Sequence, residues 1–201
     1  MRIYLASRSP RRRELLHQVG IDFETILFRG GPRSDPEVDE TPLPTEDPVA
    51  YVERVARAKA GYGLSLVNER RLLQRPVLAA DTTLALDGEI IGKPLDAADA
   101  TAILTRLSGR THKVLTGVAV CYQGRTEYVL SVSEVRFRQL GDDEIRHYVL
   151  SGDPMDKAGA YGIQGKAGLF VEYIAGSYTG IMGLPVCETG ELLKRFDLHP
   201  L

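Results

Sequence analysis

Pro76-Val77-Leu78-Ala79-Ala80-Asp81-Thr82-Thr83-Leu84-Ala85-Leu86 reads as one long strand, apolar apart from one carboxylate and two hydroxyls. Asp87-Gly88 follows as a two-residue hairpin turn, and Glu89-Ile90-Ile91-Gly92 is the returning strand. Such a turn pairs Leu86 with Glu89, and counting outward sets Thr82 opposite Lys93. In unbroken register Thr82 and Lys93 share one face while Asp81 points to the other. Gly92 permits a one-residue bulge that would bring Lys93 beside Asp81, and the sequence predicts a bulge there. A carboxylate closing a buried strand stands where α/β sheets place their ligand sites; a plain strand-end acid is the other reading.

Outward from this hairpin the chain alternates strand and helix patterns. Residues 2–6 form a short strand, Ser9 and Pro10 open a helix to Gly20 as N-cap and first-turn proline, and residues 23–28 form a second strand. Residues 29–48 are rich in glycine, proline and acids and read as a loop. Asp47 and Pro48 start a helix to about Leu66 with Val49, Val52, Ala56 and Lys59 on one stripe. Asp96 caps a helix to Ser108, residues 114–122 and 126–140 form long antiparallel strands around Gly124, and residues 142–151 are helical. A strand over 169–174 and a helix over 184–196 close the chain. The class is α/β, with a mixed sheet flanked by helices in one domain over residues 1–201.

The 201 residues carry 25 Lys plus Arg against 27 Asp plus Glu, a net charge of −2. A nucleic-acid polymer or an anionic membrane surface calls for a strong basic excess, so an anionic ligand here must meet a local basic cluster. No apolar run approaches the ~20 residues of a membrane helix, and the stretch MRIYLASRSP is too short in apolar residues for a signal peptide. A cytoplasmic protein is expected. Cys121 and Cys187 lack CxxC partners and read as core thiols, not as a disulfide or a zinc site.

Four clusters could carry chemistry. Ser9-Pro10-Arg11-Arg12-Arg13 puts three arginines in a helix first turn, where each exposed one opposes the dipole by roughly 0.3–1 kcal/mol. A bound anion reverses that sign, since helix N–H groups and guanidinium forks then converge on one phosphate; a solvated basic turn is the alternative. Lys59 falls on the apolar stripe and either snorkels outward or reaches inward to a phosphate. Residues 156–165, DKAGAYGIQG, set three glycines around Tyr161 and Gln164. They suit close approach to a ligand whose base edge Gln164 could pair, and equally a plain surface loop. Asp39 and Glu40 lie in the acidic loop; beside Asp81 they would make an all-oxygen site suited to Mg²⁺. No GxxxxGK(S/T) loop, zinc spacing or Ser/His/Asp triad is present.

Taken in order, Ser7-Arg8-Ser9-Pro10-Arg11-Arg12, Val38-Asp39-Glu40, Ala56-Arg57-Ala58-Lys59-Ala60, Ala80-Asp81-Thr82, Gly92-Lys93-Pro94, residues 156–165 and Gly183-Leu184-Pro185 resemble the motifs of the Maf-like nucleotide pyrophosphatases. Each motif is weak alone, and the ordered set is specific. The resemblance implies an ITPase-like fold with a strongly twisted sheet, a homodimer, and Mg²⁺- or Mn²⁺-dependent hydrolysis of a nucleoside triphosphate to monophosphate and pyrophosphate. It points to the dTTP/UTP branch, modified pyrimidines included. It also implies Asp81 as proton acceptor, and Arg11, Thr82 and Gln164 in substrate choice. On this reading Ser9, Arg11 and Arg12 bind substrate, Lys59 and Lys93 hold phosphates during catalysis, and Glu40 and Asp81 carry the metal. The alternatives are 7-methyl-GTP cleavage, or a nucleotide-binding regulator of septum formation whose catalysis is incidental. The insert over 28–36 departs from the family pattern.

Overall fold

The central apolar run becomes β3 (Val77–Leu86) in the computed structural model, which describes residues 2–26 and 38–199. The insert over 28–36 and the end of the expected second strand lie outside the described residues. Along one edge of β3 runs β5 (Thr111–Tyr122), antiparallel from Val77 opposite Cys121 to Ala85 opposite Lys113. The other edge is shared. β1 (Ile3–Leu5) lies parallel against Val77 and Leu78, and β4 (Glu89–Ile91) lies antiparallel against Leu84, Ala85 and Leu86. Residues 79–83 therefore face a notch between two strands on that edge, and Asp81 stands in it.

The hairpin ladder pairs Leu86 with Glu89, Ala85 with Ile90 and Leu84 with Ile91, and then stops. The expected bulge at Gly92 does not form, and Lys93 does not come to lie opposite Thr82. The Gly92 carbonyl instead accepts a 2.9 Å hydrogen bond from the Gly159 N–H, and Pro94 has no N–H with which to resume a ladder.

Side-chain alternation assigns the faces of β3. Val77 and Ala79 pack with Ala56, Ala60, Leu66 and Val67 of α2 (Pro48–Glu69). Leu78 and Ala80 pack with Leu15 and Leu16 of α1 (Pro10–Gln18) and with Leu192 and Leu193 of α6 (Val186–Lys194). By the same period of two, Asp81 belongs to the α2 face and Thr82 to the α1/α6 face. α2 starts where expected, with the Asp47 carboxylate accepting from the Val49 and Ala50 N–H groups, and runs three residues past Leu66. Its buried stripe begins at Tyr51 and Val52, while Val49 is exposed. At Gly63 a Cβ would stand 2.8 Å from Val77 Cγ1, so a larger residue would lift the helix off the sheet.

The remaining strands are β2 (Phe23–Thr25), parallel to β1, then β6 (Arg125–Phe137) and β7 (Val171–Ala175), giving the order β2-β1-β3-β5-β6-β7. α3 (Ala97–Leu107) and α4 (Asp142–Leu150) cover this half of the sheet around the fully buried Phe137. Phe137 meets His112, Tyr161 and Phe170 edge to face. The segment between α4 and β7 folds into 3₁₀ turns, and α5 (Tyr178–Ile181) is a single turn, too short to give a periodic signal. Cys121 is buried as expected, but Cys187 is exposed on α6, on the polar side of an amphipathic helix.

Candidate active site

The notch in the sheet opens into a cleft of about 1000 Å³. Its walls come from the start of α1, the segment around Glu40, α2, β3, the turn after β4, and the loop over 153–165. Ser9, Arg11, Arg12, Glu40, Lys59, Asp81, Thr82, Lys93 and Gln164 all line it, whereas Asp39, weighed with Glu40 for an oxygen site beside Asp81, does not and instead accepts from the Thr41 N–H at 2.8 Å.

Lys59 reaches inward. Its ammonium lies 2.8 Å from Asp81 Oδ1 and 2.9 Å from Glu40 Oε1. The three side chains are unequally enclosed, at 7% exposure for Asp81, 13% for Lys59 and 46% for Glu40, so Asp81 is the floor and Glu40 the rim. Asp81 Oδ2 has no hydrogen-bond partner among the described residues.

Arg12 divides its guanidinium between the protein and the cleft. Nε donates to the Gly183 carbonyl at 2.8 Å, one terminal nitrogen to Ser7 Oγ at 3.3 Å, and the other to Thr82 Oγ1 at 3.2 Å. Three of its five N–H groups are thus committed and two remain. Thr116 spends its one hydroxyl proton on the Gly180 carbonyl at 2.8 Å, so across the 2.9 Å contact between the threonines Thr82 is the donor. A directed chain results, from Arg12 through Thr82 and Thr116 to Gly180. Burial pulls the Arg12 pKa below the usual arginine value, and the charges of Asp81 and Glu40 oppose that pull.

Ser9 caps α1 by accepting from the Arg12 N–H, and the first turn of α1 holds no acid. Arg11, Lys93 and Gln164 line the cleft, and the charge of Arg11 helps to hold the Asp156 carboxyl below its ordinary value, after the hydrogen bond and charge of Lys157. Lys93 makes no ion pair with Asp81, which corrects the placement drawn from the bulge; it rides on the turn that Gly159 ties down through Gly92. Gln164 sits in a turn closed by the Gly165 N–H to the Gly162 carbonyl. In that loop Lys157 is bound to Asp153 and Asp156, and Gly159 takes a φ of +71°.

The side chains supporting this site were not legible in the sequence. Thr116 passes for an ordinary strand hydroxyl, Ser7 stood in a quoted motif without a role, and Tyr51 and Arg54 on α2 fall outside the spacing that made Lys59 conspicuous. Only the fold brings Ser7 and Tyr51 to the cleft wall and sets Thr116 and Arg54 behind it. Glu46 hydrogen-bonds to Arg54 at 2.7 Å, and that bond holds its carboxyl down at about 2. The one available signal was an unusual density of acids, residues 35–47, just ahead of a helix bearing arginines.

Residues 2–196 match the family described as Maf-like protein. The chain belongs to the Maf-like family. This Maf-like protein is 73% identical over 201 residues to a dTTP/UTP pyrophosphatase of Dechloromonas aromatica, with both chains covered in full. It is 64% identical over 201 residues to a dTTP/UTP pyrophosphatase of Aromatoleum aromaticum, covering all of this chain and 97% of the other. A third relative of the same description, from Chromobacterium violaceum, is 54% identical over 98% of this chain and 96% of its own. Among solved structures, the Staphylococcus aureus Ham1 protein superposes with a TM-score of 0.47 at 18% identity, over 68% of this chain and 72% of that one.

Proposed function

We propose that this Maf-like protein hydrolyses dTTP and UTP, with modified pyrimidine triphosphates, to the monophosphate and pyrophosphate. The observation that carries the chemistry is the Asp81–Lys59–Glu40 cluster, running from floor to rim of a cleft whose walls present Arg11 and Lys93. The choice of pyrimidine rests on the names of its relatives. Cleavage between the α and β phosphates needs the triphosphate charge neutralised and a water aligned behind the α phosphorus. Arg11, Lys93 and the two uncommitted N–H groups of Arg12 supply positive charge along the chain of phosphates. The free Oδ2 of Asp81 accepts a proton from the attacking water while Lys59 holds Oδ1 at 2.8 Å. Gln164 offers an amide donor and acceptor to O4 and N3–H of uracil or thymine.

Asp81 and Glu40 also suit a divalent cation such as Mg²⁺ or Mn²⁺. Both already converge on one positive charge, the Lys59 ammonium, and the donor set is all oxygen. Among the described residues no group of three or more His, Cys, Asp or Glu side chains could hold a metal, so the other positions would fall to waters and substrate phosphates. A cation bound there supplies charge neutralisation on the triphosphate.

We take residues 1–201 as one catalytic domain that works in the cytoplasm as a homodimer and clears the nucleotide pool. Among the described residues no helix is long and apolar enough to cross a membrane. The test is a panel of dTTP, UTP, CTP, GTP and 7-methyl-GTP with Mg²⁺. Pyrophosphate released first from dTTP and UTP is expected. Orthophosphate as first product, or preference for 7-methyl-GTP, overturns the reading, and light scattering decides the dimer.

A further inference from the structure

Three consecutive backbone carbonyls around Glu40 are held by two side chains of α2. Arg54 Nη1 donates to the Asp39 carbonyl at 3.3 Å, the Tyr51 hydroxyl to the Glu40 carbonyl at 2.9 Å, and Arg54 Nη2 to the Thr41 carbonyl at 3.0 Å. Arg54 is itself aligned by a two-point pair with Glu46, Nε to Oε1 and Nη2 to Oε2, each at 2.7 Å. Glu46 Oε2 also accepts from the Leu43 N–H at 2.9 Å, which closes the segment on itself. The Arg54 guanidinium also lies over the Tyr51 ring, 5.5 Å from its centroid.

This is far more than one exposed loop needs to rest on a helix. A segment with no regular structure spends its carbonyls on water at little cost, whereas here three in a row are gripped from the same helix that carries Lys59. The residue between the gripped carbonyls is Glu40, whose side chain meets the Lys59 ammonium at 2.9 Å. Tyr51, Arg54 and Lys59 span about 140° of the α2 circumference, so one rigid helix fixes both the backbone of Glu40 and the position of its carboxylate.

We infer that Arg54, aligned by Glu46, is a positioning residue for the proposed reaction, holding the Glu40 carboxylate in register with Asp81 across Lys59. The inference rests on the proposed pyrophosphatase activity, and its role for Glu40 is a geometric one. Arg54 touches neither Asp81 nor Lys59, so it acts only through the segment it holds.

The experiment is a double-mutant cycle joined to hydrogen exchange. Arg54→Met should lower kcat for dTTP about 10- to 100-fold with a smaller change in KM. Arg54→Lys should recover part of that loss. In a Glu40→Gln background, Arg54→Met should cost less than about 3-fold more, because the group being positioned is already gone. Amide exchange over residues 39–46 should quicken at least about tenfold in Arg54→Met while β3 and β5 stay protected. Equal losses with and without the Glu40 carboxylate would make Arg54 a merely structural residue and overturn the inference, as would unchanged exchange over 39–46. Failure of the wild type to release pyrophosphate from any triphosphate is a separate result: it removes the proposed function, and the exchange measurement still decides whether Arg54 holds the segment.

Discussion

Removing the Lys59 ammonium would leave the Asp81 and Glu40 carboxylates facing one another without the cation that bridges them, at a floor where the Asp81 side chain is only 7% exposed. Lys59→Ala is therefore expected to lower kcat/KM for dTTP by at least about 100-fold, the scale on which preorganised charge acts, with far-UV circular dichroism unchanged. Unchanged kinetics would mean that the side chain only covers apolar surface. A second residue tests stability instead of turnover. His112 is buried on β5 with Nε2 2.8 Å from the Tyr161 hydroxyl, and burial holds its pKa down at about 4. A folded-state pKa below the ordinary 6.5 means that the unfolded chain takes up the proton first as pH falls. The contribution is complete above about pH 6.5 and is lost as pH drops toward 4, with about 2–3 kcal/mol gone between pH 7.5 and 4.5. Urea unfolding at those two pH values should show that loss, and His112→Gln should flatten it. An equal slope in the variant would assign the acid lability to carboxylates.

At the scale of elements, the loop over 153–165 works as a bracket. The Gly159 N–H holds the Gly92 carbonyl at 2.9 Å, which fixes the turn carrying Lys93, and the same loop carries Gln164. Gly159 has a φ of +71°, and a Cβ there would stand 2.1 Å from Leu84 Cδ2 in the packed core. Gly159→Ala thus combines left-handed strain with overpacking, together about 2–4 kcal/mol, so Tm should fall by roughly 5–15 °C. Because Lys93 moves with the turn, KM for dTTP should rise in the protein that remains folded. A variant with wild-type Tm and KM would show that the loop and the turn are independent. The glycine was visible in the sequence, but its use was not. Turn chemistry located the hairpin at Asp87-Gly88 and the cap at Asp47, since both depend on neighbours along the chain. The bulge failed for the opposite reason: the partner that takes the Gly92 carbonyl lies 67 residues away. Lys59 was conspicuous for being charged on an apolar stripe, whereas Arg54 and Tyr51 look like ordinary helix residues until the segment they grip is in place.

For the molecule as a whole, a net charge of −2 conceals a division of labour. Among the described residues the cleft is lined by six basic side chains, Arg8, Arg11, Arg12, Lys59, Lys93 and Lys157, against four acidic ones, Glu40, Asp81, Asp153 and Asp156. Composition gave no basic excess of the kind a polymer-binding surface calls for, and the motifs suggested a local basic cluster. The notch between β1 and β4 that gathers them needed the sheet order, because it arises where two strands share one edge of a third. Since the cluster is local, its pull on a triphosphate must be short in range and sensitive to screening. The Debye length shrinks from roughly 14 Å at 0.05 M salt to roughly 4 Å at 0.5 M, which still exceeds the 2.8 Å between Lys59 and Asp81. Raising salt over that range should therefore lift KM for dTTP several-fold while kcat changes by less than about twofold. Arg11→Ala combined with Lys93→Ala, which removes two cations that line the cleft, should weaken that salt dependence. Equal salt dependence in the double variant would mean that the long-range field of the whole surface, and not the charge within the cleft, draws the nucleotide in.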